Sequence, residues 1–301
     1  MPTTHDAVED PRNRDVEVYV DGSFHHRDTA SVSVFDSAFL VGDGIWEGIR
    51  LHHGRFAFLE MHMDRLCAGL DAVSMPHPFT RQGFIDLLHQ VVEHNGMHDG
   101  AHLRLMVSRG RKKTPSQHPA NLVAGPTVVV IAEHKLARPD VAAAGISLRT
   151  VSVRRPPPDT LDQRMNCHSK IHEVVALVEA TSHGADEALM LDTTGGVATC
   201  NATNFFCVKD GVLLTSDGQH SLPGITRAVV LREARAAGIP TEERRFTPDE
   251  LELAEEAFVT GTFGGITPVR ELDGSTYAAV PGLVTQRLQA LYAAALAAEV
   301  A

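Results

Sequence analysis

The chain has 301 residues, 43% hydrophobic and 22% charged, with a formal net charge of −11. That length suits two domains or one large one with a sizeable core, and the acidic balance argues against nucleic acid or an anionic membrane as the main partner. No apolar run approaches the roughly 20 residues needed to span a bilayer, and "MPTTHDAVEDPRNRD" contains no apolar signal core.

Residues 1–15 are polar and read as a flexible tail. "VEVYVDGSFHH" predicts two strands about an Asp21–Gly22 turn, and "TASVSVFD" alternates and continues that sheet. "IWEGIRLHHGRFAFLE" turns back on itself at His53–Gly54. "EMHMDRLCAGLDAV" has helical spacing, with Met63, Leu66 and Leu70 on one face. "TRQGFIDLLHQVVEHNG" predicts a helix capped by Thr80 and stopped at Asn95–Gly96. The strands "AHLRLMVSRG" and "PTVVVIAEH" follow, separated by a basic, proline-bearing loop.

Composition shifts near "EHKLARPDVAAAG", which places an interdomain linker at 134–145 between a smaller N-terminal α/β domain, 16–133, and a larger C-terminal domain, 146–301. In the second domain "ISLRTVSVRR" predicts a strand and "PPPDTLDQRMN" a stiff loop. "SKIHEVVALVEATSHG" is a helix with Ile171, Val174, Val175 and Val178 on one face. Short strands fill 186–214, "GITRAVVLREARAAG" is a helix, and "AEEAFVTGTFGGITPVREL" is strand, glycine-rich turn, strand. No repeat of 20–50 residues is present, which excludes a solenoid.

The four cysteines form no CxxC pair and read as free thiols of a reducing cytoplasm. The pairs His25–His26 and His52–His53 lie in strands, where neighbouring side chains face opposite ways, so no metal site is expected. Lys112, Lys113 and Lys135 sit in basic loops and read as solvated charges.

Three segments suit an anion. "PGITRA" puts Gly224 before a helix, with Ile225 and Thr226 in its first turn, where free amides and the helix dipole attract negative charge. "VTGTFGG" is a glycine-flanked turn offering the Thr262 hydroxyl, and Arg65 could supply a forked cation. There is no P-loop and no dinucleotide fingerprint. Lys170, at a loop-to-helix junction, is a candidate amine nucleophile or an ordinary surface lysine.

The ordered segments "SVFDSAFLVGDGIWEGIR", "HMDRL", the lysine before a helix, "DEALMLDTTGGVATCNATNFF", "PGITRAVV" and "VTGTFGGITPVREL" together resemble the class IV aminotransferases, the fold-type IV family that binds pyridoxal 5′-phosphate. Branched-chain and D-amino acid aminotransferases and aminodeoxychorismate lyase belong to that family. The resemblance spans about residues 16–300 and implies two α/β domains, the larger with a pseudo-barrel. It also implies a cofactor between the domains and a homodimer whose partner completes the substrate pocket. Lys170 then matches the lysine that binds the cofactor covalently and carries the reaction's proton. Arg65, Ile225, Thr226 and Thr262 match the phosphate contacts.

One position departs from the pattern. The family's corner carries a glutamate facing the pyridine nitrogen; here that position is Thr199, and no acid lies between 193 and 209. A hydroxyl does not balance a pyridinium as a carboxylate does. Amino transfer between an amino acid and a 2-oxo acid therefore stands beside a lyase or racemase reading, and beside a non-catalytic cofactor-binding protein. Val175 stands where the branched-chain family has a tyrosine. Arg109, Arg111 and His118 lie in the loop where D-amino acid enzymes trap a carboxylate. Phe39, Val41 and Trp46 are expected to face the pocket, as is Phe263, which replaces a small residue.

Overall fold

The computed structural model describes residues 3–301; Met1 and Pro2 of the expected tail lie outside it. Strands β1 (Glu17–Val20) and β2 (Ser23–His26) form the expected hairpin, with Asp21 at φ 45° in its turn. The alternating stretch after it does not continue the sheet. Val32, Val34 and Phe35 are exposed in irregular chain, so the burial that would hold a strand is absent. This stretch leads into α1 (Ser37–Val41), capped by the Asp36 carboxylate.

β3 (Gly44–His52) and β4 (Arg55–Phe56) form the second hairpin, followed by α2 (Leu59–Ala72) and α3 (Arg81–His94). With β5 (Ala101–Ser108) and β6 (Thr127–His134) they make a six-stranded sheet in the order β2-β1-β6-β5-β3-β4. The helices cover one face. Met63, Leu66 and Leu70 of α2 and Phe84, Leu88 and Val91 of α3 are buried against Ile49, Leu103 and Leu105. Thr80 caps α3 by accepting from the Gly83 amide at 3.1 Å, as expected. Because a strand alternates its faces, Trp46 and Gly48 of β3 and His102 and Arg104 of β5 point the other way, toward the second sheet.

The segment 134–145 contains α4 (Pro139–Ala144), and β7 (Ile146–Thr150) opens the second sheet. After a long loop come α5 (Ile171–Ser182), β8 (Glu187–Leu191), β9 (Val197–Cys200), β10 (Asn204–Lys209) and β11 (Val212–Thr215). Then follow α6 (Ile225–Ala236), β12 (Thr241–Glu243), α7 (Pro248–Leu251), β13 (Glu256–Gly261), β14 (Gly265–Leu272), β15 (Ser275–Thr276) and α8 (Leu283–Glu299). The nine strands are ordered β12-β11-β10-β13-β14-β7-β8-β9, with β15 on β14, and both parallel and antiparallel pairs occur. Phe206 and Phe258 stack at 4.9 Å under α6 and α8, while Phe205, Leu214 and Val259 fill the opposite face. The architecture is mixed α/β with two sheets, as the sequence implies.

The expected helix α5 and the N-terminal segment are each placed in a way that the sequence does not announce. The apolar face of α5 points outward: Ile171, Val174, Val175 and Val178 are exposed, because the helix docks on its sheet through Ala176 and Ala180, next to Ala188 and Met190. The polar N-terminus is not a free tail over the described residues. The Thr4 amide donates to Glu187 Oε1 at 3.0 Å, its hydroxyl donates to the same oxygen, and the Val8 amide donates to the Leu136 carbonyl at 3.1 Å. Thr4 is buried by these contacts.

Candidate active site

A cavity of about 510 Å³ lies between the two sheets, and the sequence elements singled out above converge on it. At one end α6 begins at Gly224, which has no side chain to cap the first-turn amides. A Cβ at Gly224 would come within 2.0 Å of Asn204 Oδ1, so any other residue here must displace the Asn204 side chain. Ile225, Thr226 and Thr262 line the same end. Thr260 adds a buried hydroxyl with no hydrogen-bond partner among the described residues. Unbonded amides and an orphaned hydroxyl around an open volume suit a phosphate.

Arg65, in the middle of α2, stands behind this end rather than in the cavity. Its Nε and one terminal nitrogen donate to Glu47 at 2.8 and 2.7 Å, and the other donates to the Pro223 carbonyl at 2.9 Å. Glu47 has no solvent exposure and also meets His62 Nδ1 at 2.7 Å. Burial pushes the Glu47 carboxyl up, but Arg65 and His62 together hold it below the usual carboxylate range. Arg65 thus braces the loop that presents Gly224.

Lys170 is the residue before α5, and its Nζ lies 3.3 Å from Glu173 Oε1. That carboxylate also accepts from Arg155. The Arg155 guanidinium is buried; it donates to Gln163 and, through Nε, to the His220 carbonyl at 3.0 Å. Neither Glu173 nor Arg155 is expected from sequence, although a glutamate among the valines of an apolar helix start is a signal of a polar partner. Asn166, buried, stands on the same wall.

The Thr199 hydroxyl donates to the Thr203 carbonyl at 2.8 Å and accepts from Asn204 Nδ2 at 3.4 Å. The same Nδ2 donates to the Leu222 carbonyl at 3.0 Å, joining this corner to the loop before α6. Burial pushes the neighbouring Cys200 thiol up, so it stays neutral. The corner 199–204 lines the cavity with no carboxylate of its own, and behind it the buried Glu187 accepts from the Thr203 hydroxyl at 3.2 Å.

The remaining lining carries two cations, Arg104 of β5 and Lys135, together with Glu133 and the imidazoles of His102 and His5. Arg104 stacks 4.0 Å from the Trp46 ring centre, and Lys135 Nζ sits 4.7 Å from that of Phe263. Burial, then Lys135 and Arg104, push His102 down to about 3. Lys135 is therefore no solvated loop charge, and neither is Lys112, buried with Nζ on the Ser116 carbonyl at 2.6 Å. The alternation of "AHLRLMV" could have marked His102 and Arg104 as a shared face; His5 and Lys135 carry no such local signal.

Of the expected substrate residues, Trp46 and Phe263 line the cavity. Phe39 and Val41 are exposed on α1. Arg109 is engaged by Asp43 at 2.7 and 3.1 Å, while Arg111 and His118 are exposed, so none of the three lines this chain's cavity. Far from the cavity, His52 and His53 both turn Nδ1 toward Asp99, at 3.8 and 3.5 Å. The expectation that they face apart fails because His53 leaves the strand with φ 50°.

Residues 44–272 match the family model described as amino-transferase class IV. The chain belongs to the class IV aminotransferases. Among relatives of this class IV chain, the branched-chain-amino-acid aminotransferase-like protein 2 of Arabidopsis thaliana is 37% identical over 285 residues, 94% of the chain. The chain spans only 50% of that relative's length. A putative branched-chain-amino-acid aminotransferase of Methanocaldococcus jannaschii is 37% identical over 260 residues, covering 86% of the chain and 88% of the relative. The crystal structure of a branched-chain aminotransferase from the thermophilic archaeon Thermoproteus uzoniensis with norvaline superposes with a TM-score of 0.84. It is 28% identical and covers 94% of this chain and 95% of its own. The class IV chain thus has the fold-type IV architecture, and among its described residues no helix is long and apolar enough to cross a membrane.

Proposed function

We propose that this class IV aminotransferase uses pyridoxal 5′-phosphate to move an amino group between an amino acid, D- or branched-chain-like, and a 2-oxo acid. The observation that carries the reading is the glycine-started end of α6, with Thr226 and Thr262, opening into the cavity that Lys170 also lines. In this reading the amides of Ile225 and Thr226 and the Thr262 hydroxyl hold the phosphate, and Arg65 positions their loop. When bound, the cofactor supplies an aldehyde that condenses with amines and a ring that withdraws electrons from the substrate's α-carbon.

Lys170 provides the amine on the cavity wall and the atom that carries a proton. Thr199 would offer the ring nitrogen a hydroxyl oxygen whose proton is directed to the Thr203 carbonyl. Arg104 and Lys135 give the opposite wall a positive charge that suits a substrate carboxylate. Trp46 and Phe263 supply the apolar surface beside it. The exposed valines of α5 and the exposed Phe35, Phe39 and Val41 around α1 support a homodimer, since large apolar patches on a soluble chain mark contact surfaces.

The uncharged corner at Thr199 favours a second reading, lyase or racemase chemistry on the same cofactor. The same missing acid motivates a third reading, non-catalytic cofactor binding, against which the presence of Lys170, Arg65, Thr226 and Thr262 speaks. Single amino acids of each hand, added to the cofactor-loaded protein, separate the three by absorbance and product analysis. Pyridoxamine 5′-phosphate with a 2-oxo acid supports transfer. Ammonia or the inverted amino acid, without pyridoxamine, supports the second reading. An unchanged spectrum with every amine supports the third.

A further inference from the structure

We infer that Glu173 is the acid that acts on the lysine of this site, supplying a negative charge from α5 at Lys170 Nζ. The inference rests on the cofactor reading above and deepens it.

Two carboxylates line the cavity, Glu133 and Glu173. Glu133 is partly exposed and faces Arg27, 3.7 Å away on the outer surface. Glu173 is buried, with 10% side-chain exposure, and its Oε1 sits 3.3 Å from the Lys170 amine. A buried carboxylate is costly unless it is paired and held by donors. Here Arg155 donates to the same oxygen, and Arg155 is in turn fixed by Gln163 and the His220 carbonyl. The third charged or titratable neighbour is His172, with Nε2 at 3.9 Å from that oxygen; burial holds its imidazole below the usual histidine range, so it adds little charge. The anion is therefore pinned from the loop before α5 and from the loop before α6, and its free direction is toward Lys170.

An anion held 3.3 Å from Nζ stabilises a positive charge on that nitrogen once it is linked to the cofactor. No bond is made or broken at Glu173; it orients Nζ and balances its charge.

The test is a pH titration of the visible absorbance of the lysine-linked cofactor in the full-length protein and in Glu173→Gln, with thermal unfolding recorded alongside. In Glu173→Gln the midpoint for loss of the long-wavelength band falls by one pH unit or more, a tenfold change in the proton's affinity. A folded Glu173→Gln whose midpoint stays put overturns the inference and leaves Glu173 a purely structural partner of Arg155. Should that variant not fold, Glu173→Asp keeps the charge but withdraws it from Nζ; its midpoint falls by a smaller amount, and an unmoved midpoint again overturns the inference. Absence of the band from the unaltered protein overturns the parent cofactor reading and this inference together, which distinguishes that failure from the others.

Discussion

Arg65 holds Glu47 through two nitrogens, at 2.8 and 2.7 Å, on a carboxylate sealed from solvent. Removing one partner of a buried pair strands the other, at a cost of about 3–5 kcal/mol. Glu47→Gln should therefore lower the unfolding temperature and loosen the loop at Pro223, weakening phosphate retention. The acid dependence has a definite sign. Glu47 titrates below its ordinary value when folded, so its contribution is complete above the ordinary value of 4.5 and disappears as pH falls through the depressed one. Denaturant midpoints across that range should show an acid limb that is shallower in Glu47→Gln.

Gly224 tests the cradle. In Gly224→Ala the new Cβ meets Asn204 Oδ1, so Asn204 must give up its bond to Leu222. Overpacking of this kind costs roughly 1–3 kcal/mol. Cofactor affinity should drop by about tenfold or more, measured by equilibrium dialysis. Unchanged retention would place the phosphate elsewhere.

Thr199→Glu restores a carboxylate at the uncharged corner. The variant should shift the cofactor's absorbance and raise the rate of amino transfer relative to any elimination or racemisation. A spectrum and product ratio identical to the unaltered protein would contradict the placement of Thr199 at the ring nitrogen.

His102 gives a second pH prediction, of opposite origin. Its value falls from 6.5 to about 3 on folding, so between those values the unfolded chain binds the proton and the folded chain does not. Stability accordingly declines as pH drops from about 6.5 toward about 3. His102→Gln should flatten that decline in urea titrations, whereas an identical slope would show that the ring is protonated inside the folded protein.

The exposed face of α5 bears on assembly. Val178 is 62% exposed and lies outside the cavity lining. Val178→Asp should convert a dimer into monomers by sedimentation, with intrinsic stability changed by only about 0.5 kcal/mol. A variant that stays dimeric would remove α5 from the interface.

Much of this was legible before any coordinates. The period-two runs of β3, β5 and β6 and the helical spacing of α2 and α3 agreed with local propensity and with burial, so both signals named the same elements. The glycine before α6 likewise announced its amides, because their availability follows from local backbone alone. What escaped was set by tertiary pairing. The valines of "TASVSVFD" alternate as a strand does, but face solvent. Glu173 and Arg155 are separated by a long loop, and nothing local says that they meet. Lys135 reads as a loop charge until β5 and Phe263 are brought beside it. His5 belongs to a segment whose composition suggests fraying, yet Glu187 anchors its neighbour Thr4.

The most direct single measurement is borohydride reduction of the cofactor-loaded protein followed by peptide mapping. Covalent attachment of the pyridoxyl group at Lys170, and its loss in Lys170→Ala, is the expected result. Attachment at Lys135, or a protein that binds pyridoxal 5′-phosphate and releases it unreduced, would contradict the role given to Lys170 and with it the proposed chemistry.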